Sequence, residues 1–458
     1  MRTVVLIDGE HYLPVTKAAL DDLRTREGAD IIGAVFLGGM EKIGDISDLD
    51  VLGIPVVHDE DMLQAVRTAL DRFRPDVVFD LSDEPVVNYR VRFALACQIV
   101  AAGVTYRGAD FRFESPVYHA IPCVPSMTVL GSGKRVGKTA VAAHIARLLS
   151  GQEDHTPARR FHPCIVTMGR GGPPEPQLIR GDQVTLTPEY LLKEADAGRH
   201  AASDHYEDAL TARVPTIGCR RCGGGMAGVV FHSVVPEGAK LANTLDCDLQ
   251  IYEGSGASVP PIATDVWVLT VGAHQPIDEI TGYLGPYRVK RSDLILLTMC
   301  EPPGADAEKV ERMAAALADI NPAARIVRTV FRPRPLGDVA GRSLFYVTTA
   351  PPAMGDVLVH DIETRLGAKV TGVSHSLAKR PRLRKELGDA LTKNPPDAVL
   401  VEVKAAGIDV ATRMAHEHGV EVIYVDNIPK AVDGQDLAGL VDDAARLAVE
   451  RFEDRRRT

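Results

Sequence analysis

The chain has 458 residues, too many for one ordinary hydrophobic core, and its length indicates roughly two to four domains. Its 45% hydrophobic and 25% charged residues are typical of a globular protein, and no apolar run approaches the roughly 20 residues that cross a bilayer. A formal net charge of −10 argues against a nucleic-acid partner, which needs a broad basic face, whereas a few arginines can still hold a small anion. The seven cysteines are mostly scattered, as in proteins with reduced thiols, and the amino terminus lacks a signal-peptide pattern. We therefore expect a cytoplasmic protein without membrane contact.

Residues 1–124 are predicted to form an α/β domain in which strands and helices alternate. Strands are expected at 3–7, 31–37 and 77–79, and helices after Pro14, at 59–73 and at 85–102. This alternation favours a doubly wound, Rossmann-like parallel sheet, whose ligands bind beyond the carboxyl ends of the strands. The polar residues near those ends are the candidate substrate-binding residues, with ordinary solvated loops as the alternative: Asp8, Glu10, His11, Lys42, Arg107 and Arg112.

Residues 125–327 are predicted to form a nucleotide-binding domain. A short apolar strand at 127–130 leads into GSGKRVGKT, residues 131–139, and an apolar helical pattern follows at 139–149. In a loop of this kind the glycines let backbone amides surround phosphates, Lys138 reaches the outer phosphates and Thr139 can bind Mg²⁺. The candidate nucleotide-binding residues are Gly131, Gly133, Lys134, Val136, Gly137, Lys138 and Thr139.

The loop departs from the common pattern because its first glycine lies one position early. With GKT at its end, this spacing resembles the dethiobiotin synthetase branch of P-loop proteins, which use ATP to activate a carboxylate or a phosphate. The segment LQIYEGSG at 249–256 resembles the EGAG segment of that branch, so Glu253 is the candidate acid for the Mg²⁺ water shell, with a surface glutamate as the alternative. No guanine-reading [NT]KxD motif occurs, and ATP is therefore expected rather than GTP.

Further strands of this domain are expected at 165–168, 229–231, 250–252, 266–271 and 294–298. Thr187 and Pro188 predict the start of a helix that carries Ser203 and Asp204 toward its middle. The stretch GRGGPPEP at 169–176 predicts that Arg170 positions a phosphoryl group, with a Pro/Gly turn as the alternative.

The stretch GCRRCGGGMAG at 218–228 admits three interpretations. As an anion-binding loop it offers Arg220, Arg221 and a run of backbone amides. As a metal or redox site it offers only the two thiols of Cys219 and Cys222, where a closed zinc site normally has four protein ligands. A structural turn is the third interpretation.

Residues 328–458 are predicted to form a third α/β domain, to which the pattern assigns no role. Its strands are expected at 344–347, 370–373, 398–401 and 422–425.

Several motifs together resemble the cyclic 2,3-diphosphoglycerate synthetase family. They are IDGEHYLPV at 7–15, GSGKRVGKT, MGRGGPPEP at 168–176, GCRRCGGGMAG, YEGSGASVPP at 252–261 and TMCEPP at 298–303. The resemblance implies an ATP-dependent ligase that joins the two phosphates of 2,3-diphosphoglycerate into an internal anhydride and releases ADP and phosphate. It implies an α/β fold in which a P-loop NTPase domain of the dethiobiotin-synthetase-like branch is flanked by two doubly wound domains.

The chemistry of such a reaction gives each candidate residue a role. Two substrate phosphates repel each other, so cationic side chains must neutralise them. The catalytic candidates are Lys138, Arg170, Arg220, Arg221 and Glu253, with Mg²⁺ held at Thr139 and Glu253. The expected partner is a small anion, 2,3-diphosphoglycerate or a similar bisphosphate, and a homodimer stays open. Two alternatives also stay open: a P-loop GTPase that acts as a metallochaperone, and a nucleotide-switched regulator without turnover.

Overall fold

The computed structural model describes residues 1–153, 155 and 157–457. By compactness the chain divides into two units. Met1–Val117 and Pro276–Arg291 form the first unit, and Tyr118–Gln275 with the residues from Ser292 onward forms the second. In the described part of the chain, no helix is both long enough and apolar enough to cross a bilayer.

The strands are β1 (Arg2–Ile7), β2 (Asp30–Phe36), β3 (Val56–His58), β4 (Val77–Asp80), β5 (Thr105–Arg107), β6 (Arg112–Phe113), β7 (Ser126–Gly131), β8 (Pro163–Gly169), β9 (Gln177–Arg180), β10 (Pro215–Cys222), β11 (His232–Ser233), β12 (Leu249–Glu253), β13 (Val266–Gly272), β14 (Leu294–Thr298), β15 (Arg325–Pro335), β16 (Ser343–Val347), β17 (Lys369–Ser374), β18 (Ala398–Glu402) and β19 (Glu421–Ala431). The helices are α1 (Leu13–Glu27), α2 (Met62–Phe73), α3 (Tyr89–Ala101), α4 (Lys138–Ser150), α5 (Pro188–Asp196), α6 (Asp204–Ala212), α7 (Val235–Ala242), α8 (Ile277–Thr281), α9 (Gly285–Lys290), α10 (Ala307–Ile320), α11 (Gly355–Leu366), α12 (Arg380–Lys393), α13 (Arg413–Glu417) and α14 (Leu437–Arg457).

The first unit is built on a six-stranded sheet in the order β3-β2-β1-β4-β5-β6. Its strands are parallel except for the edge pair β5 and β6. The strand order reverses between β1 and β4, and this is the position where doubly wound sheets bind ligands. The loops that follow β1 and β2 touch there, because Gly9 donates its amide to Gly38 at 2.9 Å. A Cβ on Gly9 would lie 1.8 Å from the Gly39 carbonyl oxygen, so only glycine allows this approach.

The second unit is built on a 13-stranded sheet in the order β11-β10-β8-β12-β7-β13-β14-β15-β19-β18-β16-β17, with β9 paired to β10. The strand β7, which leads into the P-loop, lies between β12 and β13 and is parallel to both. The predicted α/β class is confirmed. The sheet also shows that the nucleotide-binding and carboxyl-terminal parts share one hydrogen-bonded ladder.

Strand β15 is where the two parts of this sheet meet. Its first residues pair in parallel with β14, and its later residues, from Thr329 to Pro335, pair antiparallel with β19. Strand β18 is parallel to β19, and β16 is parallel to β18. Both therefore run opposite to the strands around the P-loop. As a result, the carboxyl ends of the two strand sets point toward each other.

Helix α14 belongs to the core of the nucleotide-binding part. Its buried residues Val441, Ala445 and Ala448 pack in one cluster with α4 residues such as Val141 and Ile145. The end of the chain thus covers the sheet on which the P-loop is built.

Two sequence predictions about the second unit are wrong. Residues 229–231 form no strand. The strand of this region is β10, which contains the whole GCRRC stretch and lies between β8 and β9. The helix that begins at Pro188 ends at Asp196, and Asp204 starts the separate helix α6. Gly198, with φ of 78°, breaks the helix between them.

Candidate active site

The P-loop adopts the strand–loop–helix arrangement that its sequence predicts. β7 ends at Gly131 and α4 begins at Lys138, with Gly137 at φ of 89° between loop and helix. A Cβ on Gly137 would lie 2.1 Å from the Phe331 ring, so the close contact and the dihedral angle both require glycine. Thr298 donates its hydroxyl to the Val136 carbonyl at 3.1 Å and fixes the loop against β14. Val136 is fully buried and Lys134 is exposed, which leaves Lys134 free to face solvent or ligand.

Thr139 and Glu253 lie together, as the sequence predicts. The Thr139 hydroxyl donates to Glu253 Oε1 at 2.6 Å. Glu253 is 1% exposed; its other oxygen, Oε2, accepts no hydrogen bond from an amide, a hydroxyl or a cationic side chain, and its carboxyl interacts with that of the buried Asp208. A buried carboxylate oxygen without a donor, next to a threonine hydroxyl, fits a hard cation such as Mg²⁺.

Lys138 lies among charges of both signs. Burial lowers the pKa of its ammonium group. The carboxylates of Glu253 and Asp204 oppose this pKa shift, and the cations Lys404 and Arg170 add to it. The P-loop lysine therefore shares its surroundings with residues from four other parts of the second unit.

Helix α6 supplies three acids that the sequence analysis did not assign, of which Glu207 and Asp208 are buried. Asp204, Glu207 and Asp208 are spaced for one helix face, and Asp208 is 0% exposed. Burial raises the pKa of Glu207 to about 8 and that of Glu253 to about 7. The pKa of Asp208 is also raised, by burial and by the nearby Glu253. The spacing of the three acids, at 204, 207 and 208, was the sequence signal for this part of the site. It was overlooked because the region was predicted to be the middle of one long helix.

A cavity of about 500 Å³ opens beside the loop that follows Glu253. It is lined by Arg170, Arg221, Cys222, Gly223, Gly224, Gly225, Ala257 and Ser258. Arg221 donates to the Ser255 carbonyl at 2.8 Å and to the Gly223 carbonyl at 3.2 Å, while its Nε has no partner. Burial lowers the pKa of Arg221, and the nearby Arg170 lowers it further. Two guanidinium groups beside a glycine-rich backbone form a cavity suited to an anion.

Arg220 does not line this cavity. It neighbours Arg221 in β10, so the two side chains leave opposite faces of the strand. Its guanidinium donates to the Gly172 carbonyl at 3.3 Å and thereby touches the GRGGPPEP turn.

The two cysteines of GCRRC do not face each other. Cys219 is buried in an apolar cluster with Val166 and Ala239, whereas Cys222 is exposed. Positions three apart in a strand point to opposite faces. The described residues also contain no group of three or more His, Cys, Asp or Glu side chains placed to hold a metal ion. The geometry therefore does not support a metal site at this stretch.

The structure brings together four of the predicted substrate residues in the first unit. Asp8 lies 2.8 Å from His11 Nδ1 and accepts the Glu10 amide at 3.0 Å. The Lys42 amide donates to the Gly9 carbonyl at 2.9 Å, and its ammonium pairs with Glu41. Asp8 also accepts the Asp83 amide at 2.6 Å, so it holds the loops of this sheet edge together.

The other two predicted substrate residues are engaged in ion pairs. Arg107 donates twice to Glu27, at 2.9 and 3.1 Å, and Arg112 lies 2.7 Å from Glu114. These carboxylates neutralise both arginines within the first unit.

Domain models of one family match nearly the whole chain. The model of the cyclic 2,3-diphosphoglycerate synthetase N-terminal domain matches residues 2–114, that of its P-loop domain residues 126–330, and that of its C-terminal domain residues 335–428. Their limits resemble the three predicted domains, while the compact units of the structure number two.

Curated relatives carry the same name. The cyclic 2,3-diphosphoglycerate synthetase of Methanothermus fervidus is 43% identical over 467 residues and covers 99% of each chain. That of Thermococcus kodakarensis is 48% identical, covering 95% of this chain and 96% of its own. That of Rubrobacter xylanophilus is 46% identical, covering 94% and 95%. Among solved structures, the hydrogenase maturation factor HypB of Archaeoglobus fulgidus matches with a TM-score of 0.28 and 19% identity over 45% of this chain and 81% of its own, a likeness too low to carry an argument.

Proposed function

This chain belongs to the cyclic 2,3-diphosphoglycerate synthetase family, and we propose that it uses ATP to close an internal phosphoanhydride in 2,3-diphosphoglycerate, with ADP and phosphate as the other products. The observation that carries the proposal is the position of the arginine-lined cavity. It begins at the loop directly after Glu253, whose side chain contacts the P-loop threonine Thr139. A phosphate donor and an anionic acceptor can thus lie side by side.

We assign the nucleotide to the P-loop. The amides after Gly131 and the amino terminus of α4 favour phosphate oxygens, and Lys138 would contact the outer phosphates. Thr139 and Glu253 would hold Mg²⁺, which neutralises phosphate charge when bound. Glu253 must lose its proton to do so, and its pKa of about 7 makes this possible near neutral pH.

The substrate bisphosphate is assigned to the cavity of Arg170 and Arg221. Closing the ring requires one substrate phosphate to accept the γ-phosphoryl group and the other to attack that phosphate in line, expelling inorganic phosphate. The arginines need only neutralise and orient the two phosphates, because neither step needs a strong side-chain base. Arg220 would act by holding the GRGGPPEP turn through Gly172.

The test is bisphosphate-dependent ADP release from Lys138→Ala. We expect a loss of about a hundredfold or more in kcat, comparable with removing one preorganised charge donor, and an unchanged unfolding midpoint. Lys240→Ala, an exposed lysine on α7, is the matched control and should behave as wild type. Equal ADP release from Lys138→Ala and wild type would refute the nucleotide assignment.

The same assay separates the proposal from its alternatives. A nucleotide-switched regulator would bind ATP but release no ADP in response to a bisphosphate. A metallochaperone would retain stoichiometric zinc or nickel after purification through Cys219 and Cys222.

The remaining expectations stay predictions. They are the contribution of Asp8, Glu10, His11 and Lys42 to substrate binding, the cytoplasmic location and the homodimer. Sedimentation of the purified chain measures the last of these directly.

A further inference from the structure

Lys404 lies in a tightly built loop at the carboxyl end of β18. Glu402 ends the strand, Ala405 has a φ of 48°, and a Cβ on Gly407 would lie 2.3 Å from the Glu402 carbonyl oxygen. Loops at the carboxyl ends of parallel strands are where α/β sheets bind ligands. The opposite strand directions on the two sides of β15 make this loop face the P-loop edge of the sheet.

A direct contact confirms that the loop after β18 meets the P-loop edge of the sheet. Lys404 Nζ lies 3.0 Å from Glu207 Oε1 on α6. Glu207 is the only carboxylate within ion-pair distance of Lys404 among the described residues. Glu402 is saturated by other donors, namely Thr348, Thr349 and Asn427. The Lys404 side chain is 31% exposed and can still meet a ligand.

Lys404 also lies close enough to Lys138 for the two charges to interact. Its ammonium group is one of the cations that lower the pKa of Lys138. Burial acts to lower the pKa of Lys404, but Glu207 and Glu402 outweigh this and raise it, so the group stays charged. Two ammonium groups that repel each other at facing sheet edges are stabilised when an anion lies between them.

We propose that Lys404 contacts the phosphoryl group being transferred at the P-loop, so that the carboxyl-terminal sheet completes the active site. This inference rests on the proposed function. Lys138 would hold the outer phosphates from the P-loop side, and Lys404 would meet the equatorial oxygens from the opposite side. Charge shared among those oxygens in the transition state is what such cations stabilise.

A purely structural ion pair between Lys404 and Glu207 predicts a different outcome. In that case, removing either partner disrupts the same contact and has the same effect. If Lys404 acts on phosphate, Glu207→Gln retains the essential cation.

The experiment compares Lys404→Met, Lys404→Arg and Glu207→Gln by bisphosphate-dependent ADP release. We expect Lys404→Met to lose about a hundredfold in kcat while its ADP affinity changes less than about threefold. Lys404→Arg should recover part of kcat, and Glu207→Gln should stay within about tenfold of wild type. Lys430→Met, an exposed lysine on β19, is the matched control. Wild-type kcat in Lys404→Met, or equal losses in Lys404→Met and Glu207→Gln, would overturn the inference.

Two further measurements keep the outcome clear. If Lys404→Met alone does not fold, the double variant with Glu207→Gln removes both charges, and its kcat should remain low. If wild type releases no ADP with the bisphosphate, the proposed function fails. Lys404 is then judged by calorimetry with a non-hydrolysable ATP analogue and with ADP. If Lys404→Met keeps the full wild-type preference for the triphosphate analogue over ADP, this result would count against a contact between Lys404 and the phosphoryl group.

Discussion

Single buried acids set the chemistry of the site at the residue scale. Glu253 is 1% exposed, and Asp208 is fully buried beside it. An ionised carboxylate in such surroundings is costly unless a cation or a donor compensates it. Thr139 supplies one donor, which leaves Glu253 poised between binding a proton and binding a metal ion.

This balance predicts a pH-dependent stability in the absence of nucleotide. The pKa of Glu253 rises from 4.5 to about 7 on folding, because of burial first and Asp204 second. The folded state therefore binds more protons between these values, and stability falls as pH rises through them, by about 3 kcal/mol. Below pH 4.5 Glu253 is protonated in both the folded and the unfolded state, and its contribution to stability is fully present.

Glu253→Gln removes this titration. Across about pH 5 to pH 8, the unfolding midpoint of the variant should fall less than that of wild type. Glu207 and Asp208 titrate in both proteins, and because Glu253 raises the pKa of both, the difference between the two curves reports Glu253 together with its effect on these neighbours. Glu237→Gln, on the exposed surface of α7, should follow wild type. Parallel curves for Glu253→Gln and wild type would contradict the expectation.

Arg221 and Cys222 are adjacent in β10 and test the anion interpretation against the metal interpretation. Arg221→Ala should reduce kcat by about a hundredfold, because it removes a desolvated donor to phosphate. Cys222→Ser removes one sulfur and should keep activity within about tenfold. The measurement is bisphosphate-dependent ADP release with metal analysis of each protein. Loss of both activity and bound metal in Cys222→Ser, with an active Arg221→Ala, would reverse the assignment.

Local spacing made part of the site predictable from sequence. The P-loop residues and the pairing of Thr139 with Glu253 follow from motifs, since each motif carries its own geometry. The pairing of Arg107 with Glu27 depends on contact between residues 80 positions apart, and no local pattern reports it. Lys404 was not predicted as a site residue for the same reason, because only the sheet topology brings it to α6.

At the scale of elements, the two ends of α4 give a matched comparison. Gly137 begins the helix at φ of 89° and touches Phe331, whereas Gly151 ends it at φ of 72° with its nearest neighbour, Arg160, at 3.4 Å. Alanine at either position meets an unfavourable dihedral angle, which costs about 1 kcal/mol. Only at Gly137 does the added methyl group clash with a ring.

We therefore expect Gly137→Ala to lower the free energy of unfolding by about 3 kcal/mol or more and to abolish nucleotide binding. Gly151→Ala should cost about 1 kcal/mol and preserve binding. Chemical denaturation and ATP calorimetry measure both quantities. Similar losses for the two variants would mean that Phe331 yields readily and that the dihedral angle alone matters.

Most elements with strong apolar periodicity were predicted, and the failures have physical reasons. β10 was missed because its arginines, cysteines and glycine dilute the apolar pattern, although β8 and β9 bury it on both sides. Residues 229–231 have strand-like composition, but Phe231 is 95% exposed, and the described part of the chain offers it no partner strand to complete a ladder. In both cases the presence or absence of a neighbouring strand to pair with, rather than composition, decided whether a strand formed.

At the scale of the whole molecule, the nucleotide-binding and carboxyl-terminal parts form one cooperative structure. β15 pairs with both, and α14 lies in the core cluster beneath the P-loop helix. A chain without Leu437–Arg457 would expose that cluster to water, at a cost of about 25 cal/mol for each Å² of apolar surface. We expect such a chain to be aggregated and unable to bind ATP.

The control is a chain that ends at Phe452, which keeps every buried residue of α14. It should remain folded and bind ATP. Soluble yield and ATP calorimetry compare the two. A folded, ATP-binding protein without α14 would show that the nucleotide-binding part is an independent domain.

The position of α14 has a consequence for biosynthesis. The P-loop helix leaves the ribosome about 300 residues before the helix that packs on it, and at roughly 5–20 residues per second this delay is tens of seconds. During translation, the apolar face around Val141 and Ile145 is therefore uncovered. We expect the nascent chain to be a chaperone client, and to gain nucleotide binding only after α14 has emerged.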